Sequence, residues 1–140
     1  MAMTDILYSQ GGSLITVGDS AYATADVDSI TIVRTITVDF KDNKATVNLN
    51  NAPGVTYTAE GGHVVINNTN ATEEMEFVLS GTSNDASLTY NGVYKCKFHL
   101  NNLNLTSTKG AALDIQCGKR IDVFLMDGTT NSLTDCAGGL

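Results

Sequence analysis

The sequence is poor in basic residues, in aromatic residues and in charge generally. It holds 8 Lys and Arg against 15 Asp and Glu, and the net charge of −7 excludes a basic nucleic-acid binder. Charged residues make up 16% of the 140 residues, against about 25% in an average domain. No apolar run approaches the roughly 18 residues of a membrane span, and the periodicity of a helical bundle is missing. We therefore expect one domain, with at most a small appendage.

Cysteine and proline are also scarce. The three cysteines, Cys96, Cys117 and Cys136, form neither a Cys-x-x-Cys pair nor a cluster with histidine, so a zinc site is not expected. Buried free thiols are favoured over a disulfide.

Residues 1–5 lack the charged and apolar regions of a signal peptide, so we expect any secretion signal to be absent from this chain.

Short alternating runs of apolar and polar residues fill the first half of the chain. Turn residues, such as those at 41–44 and 60–62, separate the runs. The β-branched content favours strands over helices, so the sequence predicts an all-β fold. The runs in question are 14–17, 29–33, 35–40, 46–49 and 63–66.

From about residue 76 the pattern repeats with a period of 25 residues. Such a period, with several strands in each copy, is typical of a β-solenoid, in which stacked coils share one core. We predict a short parallel β-helix over residues 45–140, with strands or a hairpin of residues 1–44 capping it. The alternative is a β-sandwich with evenly spaced hairpins. The equivalent positions are Leu88 and Leu113, Tyr90 and Ile115, Phe98 and Val123, Leu100 and Leu125, and, after a short insertion, Leu105 and Leu133.

Four segments resemble a family of bacterial carbohydrate-binding domain proteins: 77–82, 103–107, 110–116 and, most specifically, 125–135. The resemblance implies a right-handed parallel β-helix in a secreted or lipid-anchored surface protein. It also implies polysaccharide ligands, acidic ones among them, with calcium in some members.

Family members usually continue with more coils where this chain ends. We therefore expect the β-helix to be truncated at its C-terminal end, with a lipid anchor, as the only route to a membrane, absent from this chain. Open solenoid edges would allow self-association.

A group of oxygen-bearing side chains near the C-terminus predicts a calcium site on Asp127, Asn131 and Asp135. Carboxylates, amides and backbone carbonyls are the ligands that calcium prefers. The alternative interpretation is turn chemistry, in which these residues form and cap loops.

Half of the basic residues lie near matching positions of two successive repeats. Lys95, Lys97, Lys119 and Arg120 would form a basic stripe that meets a uronic-acid carboxylate. Tyr94, at a turn, is the best exposed aromatic platform for a sugar ring. The alternatives are a solvated charged face and a tyrosine that packs inward.

Catalysis has little support, because no nucleophile elbow is present and His63 and His99 lie in separate segments. We expect a non-catalytic cell-surface domain that binds polysaccharide with the help of calcium. A structural or adhesive surface module is the alternative. A polysaccharide lyase-like enzyme, with Arg120 near Asp122, is the least favoured class.

Overall fold

The computed structural model describes residues 6–9 and 30–136. The chain divides into two compact units, residues 1–34 and 35–140. In the first unit, strand β1 (Ile6–Ser9) pairs antiparallel with β2 (Ile30–Val33). The strand predicted at residues 14–17 lies outside the described residues.

The second unit consists of ten strands joined by turns, and its described residues contain no helix. The all-β prediction is confirmed for them, and they include no helix long and apolar enough to span a membrane. The strands are β3 (Thr35–Lys41), β4 (Lys44–Asn48), β5 (Val55–Glu60), β6 (Gly62–Asn68), β7 (Met75–Ser83), β8 (Ala86–Gly92), β9 (Cys96–Thr106), β10 (Leu113–Cys117), β11 (Ile121–Leu125) and β12 (Ser132–Thr134).

These strands form two mixed sheets. One has the order β5-β6-β8-β10, and the other has the order β4-β3-β7-β9-β11, with β12 also paired to β9. From β6 to β11 the chain alternates between the two sheets. The hairpins β3–β4 and β5–β6 are antiparallel, and all other pairs in this unit are parallel. Residues 35–44, which the sequence analysis grouped with the N-terminal segment, lie in this second unit, where β3 pairs with β7.

The predicted 25-residue offset is confirmed in both sheets. Strand β10 lies beside β8 and β11 lies beside β9 in the parallel register that the repeat predicts. After the insertion, Leu133 pairs with Leu105, as expected. The Cα partners are Leu88 with Leu113, Tyr90 with Ile115, Phe98 with Val123 and Leu100 with Leu125.

The core draws on the alternate, apolar positions of both sheets. Phe77 and Phe98 stack at 4.9 Å between ring centroids, and the Tyr90 ring of the other sheet meets both edge-on at 5.1 and 5.2 Å. All three rings are fully buried. Burying such a side chain contributes about 1.5–3 kcal/mol, so this cluster holds the two sheets together.

Asn102 lies within β9 at a shift in the pairing register. The pairing of β7 with β9 shifts register after Ser80, so that Gly81 faces Leu103 and Asn102 becomes the extra residue. Asn102 has a φ of 55°, in the left-handed region that its short amide side chain tolerates.

The sequence analysis favours buried thiols, and the structure buries one of the three cysteines fully. Cys96 is buried in the core, and Cys117 and Cys136 are half-buried. Burial raises the pKa of Cys96 to about 11.

Candidate carbohydrate-binding site

Four of the five residues predicted to bind carbohydrate line one surface cavity of about 350 Å³: Tyr94, Lys95, Lys119 and Arg120. They lie on two corner segments, 93–95 and 118–120, that link strands of one sheet to strands of the other. Gly92 pairs with Cys117 before the corners, and Cys96 pairs with Ile121 after them. The 25-residue register therefore stacks one corner on the other and brings their side chains together.

Hydrogen bonds between the two corners fix their spacing. The Cys117 thiol donates to the Tyr94 carbonyl at 3.4 Å, and the Lys119 backbone N–H donates to the same sulfur, also at 3.4 Å. The Cys96 N–H donates to the Arg120 carbonyl at 3.3 Å. These contacts fix the backbone from which the cationic side chains extend.

The cations of this corner are only weakly engaged with carboxylates. Lys95 lies 3.9 Å from Glu74, and the Nε of Arg120 lies 3.4 Å from Asp122. Both basic side chains are exposed, at 42% and 68%, and exposed ion pairs of this kind contribute about 0–1 kcal/mol. Within the described part of the chain, no carboxylate lies in ion-pair range of Lys119. The corner can therefore offer positive charge to a ligand.

The fifth predicted residue, Lys97, lies outside the cavity. It is half-buried on β9, in register with Glu76 of β7 on one side and Asp122 of β11 on the other. The outer face of this sheet therefore carries alternating charges across neighbouring strands, beginning two residues beyond the corner.

The tyrosines divide between core and surface as the repeat predicts. Tyr90 is fully buried, and its hydroxyl accepts a hydrogen bond from the Asn68 amide at 3.1 Å. Burial raises the pKa of Tyr90 well above its usual value. Tyr94 is half-buried and lines the cavity, with the Lys95 ammonium 5.9 Å from its ring centroid.

The residues predicted to hold calcium serve as backbone caps. The Asn131 carbonyl oxygen accepts from the Leu103 N–H at 2.7 Å, and an Asp135 oxygen accepts from the Ala112 N–H at 2.9 Å. Asp127 is exposed. Within residues 6–9 and 30–136, no group of three or more His, Cys, Asp or Glu residues could hold a metal ion. A calcium site that combines these three residues stays a prediction.

Sequence reasoning missed an aromatic pair on the outer face of the same sheet. The rings of His99 and Phe124 stack, with centroids 5.1 Å apart and planes at 18°. His99 Nε2 is 2.8 Å from a Glu76 oxygen, and Phe124 is 44% exposed. The signal was present in the 25-residue offset, which makes these two residues partners.

A second missed cluster joins three polar side chains of the other sheet. The Nδ1 of His63 is 2.7 Å from the Ser87 hydroxyl, and its Nε2 is 2.8 Å from Asp85. Thr108 and His63 together hold the pKa of Asp85 below its usual value. These are the residue types of a charge-relay system, but Ser87 is buried and lines neither described cavity. The chain of hydrogen bonds therefore ties neighbouring strands together.

A second cavity, of about 300 Å³, is lined by hydroxyl and amide side chains with one carboxylate. It shares no lining residue with the basic corner, and two of its side chains bond to each other, since the Ser132 hydroxyl donates to Asn104 at 2.9 Å. Its lining residues are Asp42, Thr82, Ser83, Asn84, Asn104, Thr106 and Ser132.

The family whose model matches this chain is the carbohydrate-binding family that the sequence segments resemble. The model of the family described as carbohydrate-binding domain-containing protein matches residues 60–138, more than half of the chain and all of the strands that carry the basic corner. No curated protein and no solved structure matches. The chain belongs to the family of carbohydrate-binding domain-containing proteins.

Proposed function

We propose that this chain binds acidic polysaccharides, without catalysis, through the basic corner formed by Tyr94, Lys95, Lys119 and Arg120. The observation that carries the proposal is the convergence of these side chains on one cavity in a chain whose net charge is −7. A guanidinium group matches a carboxylate with two parallel hydrogen bonds, and an ammonium group adds point charge. A uronic-acid residue supplies both the carboxylate and the ring for Tyr94.

The scaffold that we propose for this site is a right-handed parallel β-helix. Parallel pairing at a constant offset in both sheets supports it, as does the alternation of consecutive strands between the sheets. A β-sandwich built from hairpins has antiparallel neighbours instead. Each turn of such a helix adds one more corner to the same column, which explains why Lys95 and Arg120 share a cavity.

The same proposal places the protein at the surface of a bacterial cell, where polysaccharides are available. The polar strand faces, rich in Thr and Asn and low in charge, support this location. Calcium would assist at Asp127, Asn131 and Asp135, and this part of the proposal is tested separately.

The test is retention of the purified chain on immobilised uronic-acid polymers and on neutral polysaccharides. The variant that removes the positive charge of the corner is Lys119→Gln with Arg120→Gln. Its matched control is Lys41→Gln with Lys44→Gln, which makes the same change of net charge at exposed positions of the β3–β4 hairpin. We expect the corner variant to bind uronic-acid polymers at least about tenfold more weakly, because charged hydrogen bonds contribute about 1.5–3 kcal/mol each.

Two further arms separate the parts of the proposal. Raising the salt concentration is expected to weaken binding, since exposed charges are screened over about 10 Å at 0.1 M. A chelator should weaken it only if calcium takes part, and Asp127→Asn should then remove the calcium effect. Equal losses in the corner variant and in its control, or no retention on uronic-acid polymers, would contradict the proposal.

A second candidate function is a structural module that associates with its own copies. Among the described residues, β11 pairs with β9 alone, and side chains on and beyond it are exposed although they are apolar. Leu125 is 66% exposed and Val123 is 48% exposed. Free strand edges with apolar side chains favour pairing between chains. Sedimentation velocity over a range of protein concentrations tests this candidate.

A further inference from the structure

An exposed aromatic ring lies on β11, the strand that follows the corner segment 118–120. Phe124 is on the outer face of β11, because its neighbours Val123 and Leu125 continue the inward column of Phe98 and Leu100. The core aromatic rings are fully buried, whereas Phe124 is 44% exposed. Phe124 therefore contributes little to the core.

One face of the Phe124 ring is covered, and within the described residues no strand covers the other. The His99 ring stacks on it at 5.1 Å with nearly parallel planes, and His99 is held in turn by Glu76 at 2.8 Å. Within the described residues β11 is an edge strand, so no strand lies against the opposite face of the ring. An aromatic face held in this way attracts the C–H bonds of a sugar ring, because the face is electron-rich.

We call the stacked rings of Phe124 and His99 the platform. The distance between the platform and the basic corner decides how long a ligand must be to contact both. Phe124 is four positions after Arg120 along an extended segment, which corresponds to about 13 Å. Between them lie Asp122 and its neighbour Lys97, a carboxylate and an ammonium that can accept from and donate to sugar hydroxyls. A single hexose is too small to reach both ends of this surface.

We infer that the ligand is an oligosaccharide segment that runs along the edge of β11, with a carboxylate at the corner of Lys119 and Arg120 and a later sugar ring stacked on Phe124. The inference rests on the proposed function and adds that the bound chain is longer than one sugar and follows β11. A neutral or an acidic sugar can occupy the platform, since stacking uses the apolar face of the ring.

The experiment is isothermal titration of the full chain with uronic-acid oligosaccharides of increasing length. The variants are Phe124→Ala, Phe124→Tyr and, as a control, Tyr57→Ala, which removes another exposed aromatic ring (42%) from the other sheet. Phe124→Ala should weaken binding of the longer oligosaccharides by roughly 2- to 10-fold and leave the shortest unaffected. Phe124→Tyr and Tyr57→Ala should leave affinity unchanged at every length.

The outcomes separate this inference from the proposed function. If the corner variant loses affinity while Phe124→Ala behaves like Tyr57→Ala, the inference is wrong and the proposed function stands. If the unaltered chain binds no glycan, both are wrong. If Phe124→Ala alters the sedimentation coefficient and not the glycan affinity, the platform is a contact between copies of the chain, which also overturns the inference.

Discussion

Gly81 offers a direct test of the register between β3, β7 and β9. Its φ is +103°, and a Cβ built on it would lie 1.9 Å from the carbonyl oxygen of Phe40, its partner in β3. Gly128 is a matched position, because its φ is +75° but a Cβ there meets nothing within 4 Å. At both positions the positive φ is unfavourable for alanine. Only at Gly81 would the added Cβ also collide with another backbone.

The size of the two effects can be worked out separately. A positive φ costs an alanine about 1–2 kcal/mol, and the stiffer unfolded chain offsets about 0.4–1 kcal/mol of this, so Gly128→Ala should lose about 1 kcal/mol. At Gly81 the β3 backbone would also have to retreat by about 1 Å to reach the 3.0 Å of real contacts. That movement weakens ladder hydrogen bonds worth about 1 kcal/mol each and disturbs the buried Phe40, so Gly81→Ala should lose about 3–5 kcal/mol.

The assay is urea unfolding followed by tyrosine fluorescence, since the chain contains no tryptophan. We expect the midpoint for Gly81→Ala to fall well below that for Gly128→Ala, with similar m-values. Equal destabilisation by the two substitutions would refute the close approach of β3 to β7 at this point.

Three further predictions concern the core, the thiols and the polar cluster. Phe98→Ala should lose about 3–5 kcal/mol in urea unfolding, because the ring is fully buried and leaves a cavity; a loss below about 1 kcal/mol would contradict the packing. At pH 8, a disulfide reagent should titrate two thiols in the folded protein and the third, Cys96, only after unfolding, because burial raises the pKa of Cys96 to about 11; three thiols with equal rates would be inconsistent with its burial. The pKa of Asp85 is lowered in the folded state by Thr108 and then by His63, so the stabilisation is present above the unfolded pKa of about 3.9 and is lost as the pH falls through the lower folded value. Unfolding curves of the unaltered protein and Asp85→Asn should therefore differ at pH 6 and begin to converge only as the pH falls below about 4. A difference that stays unchanged in acid would contradict this.

The fold was predictable from the sequence where the repeat was strong. The pairs Phe98 with Val123 and Leu100 with Leu125 followed from spacing alone, because stacked strands must place equivalent inward side chains side by side. The boundary between the two units, after Arg34, was harder to predict from the sequence. Residues 35–40 alternate in the same way as a strand of either unit, so only the long-range pairing of β3 with β7 reveals where they belong.

The convergence of charge at the basic corner was predictable for the same reason, and the other candidate surfaces were less so. An offset of 25 places Lys95 beside Arg120, so charge convergence follows from sequence. The same offset makes His99 and Phe124 neighbours, but the stacking of their rings depends on rotamers, which the repeat does not encode. Asn131 shows that residue type alone does not identify a ligand. Its amide oxygen has the chemistry of a calcium ligand, but in the structure it accepts a hydrogen bond from the Leu103 N–H.

The most direct measurement is an amide chemical-shift titration of the ¹⁵N-labelled chain with a uronic-acid oligosaccharide. The central claim is that the basic corner, positioned by the parallel 25-residue register, binds the glycan. We predict that the largest shift changes fall on residues 93–97 and 118–124, with none on β5, which lies at the far edge of the other sheet. Changes centred elsewhere, or none at saturating ligand, would contradict the account.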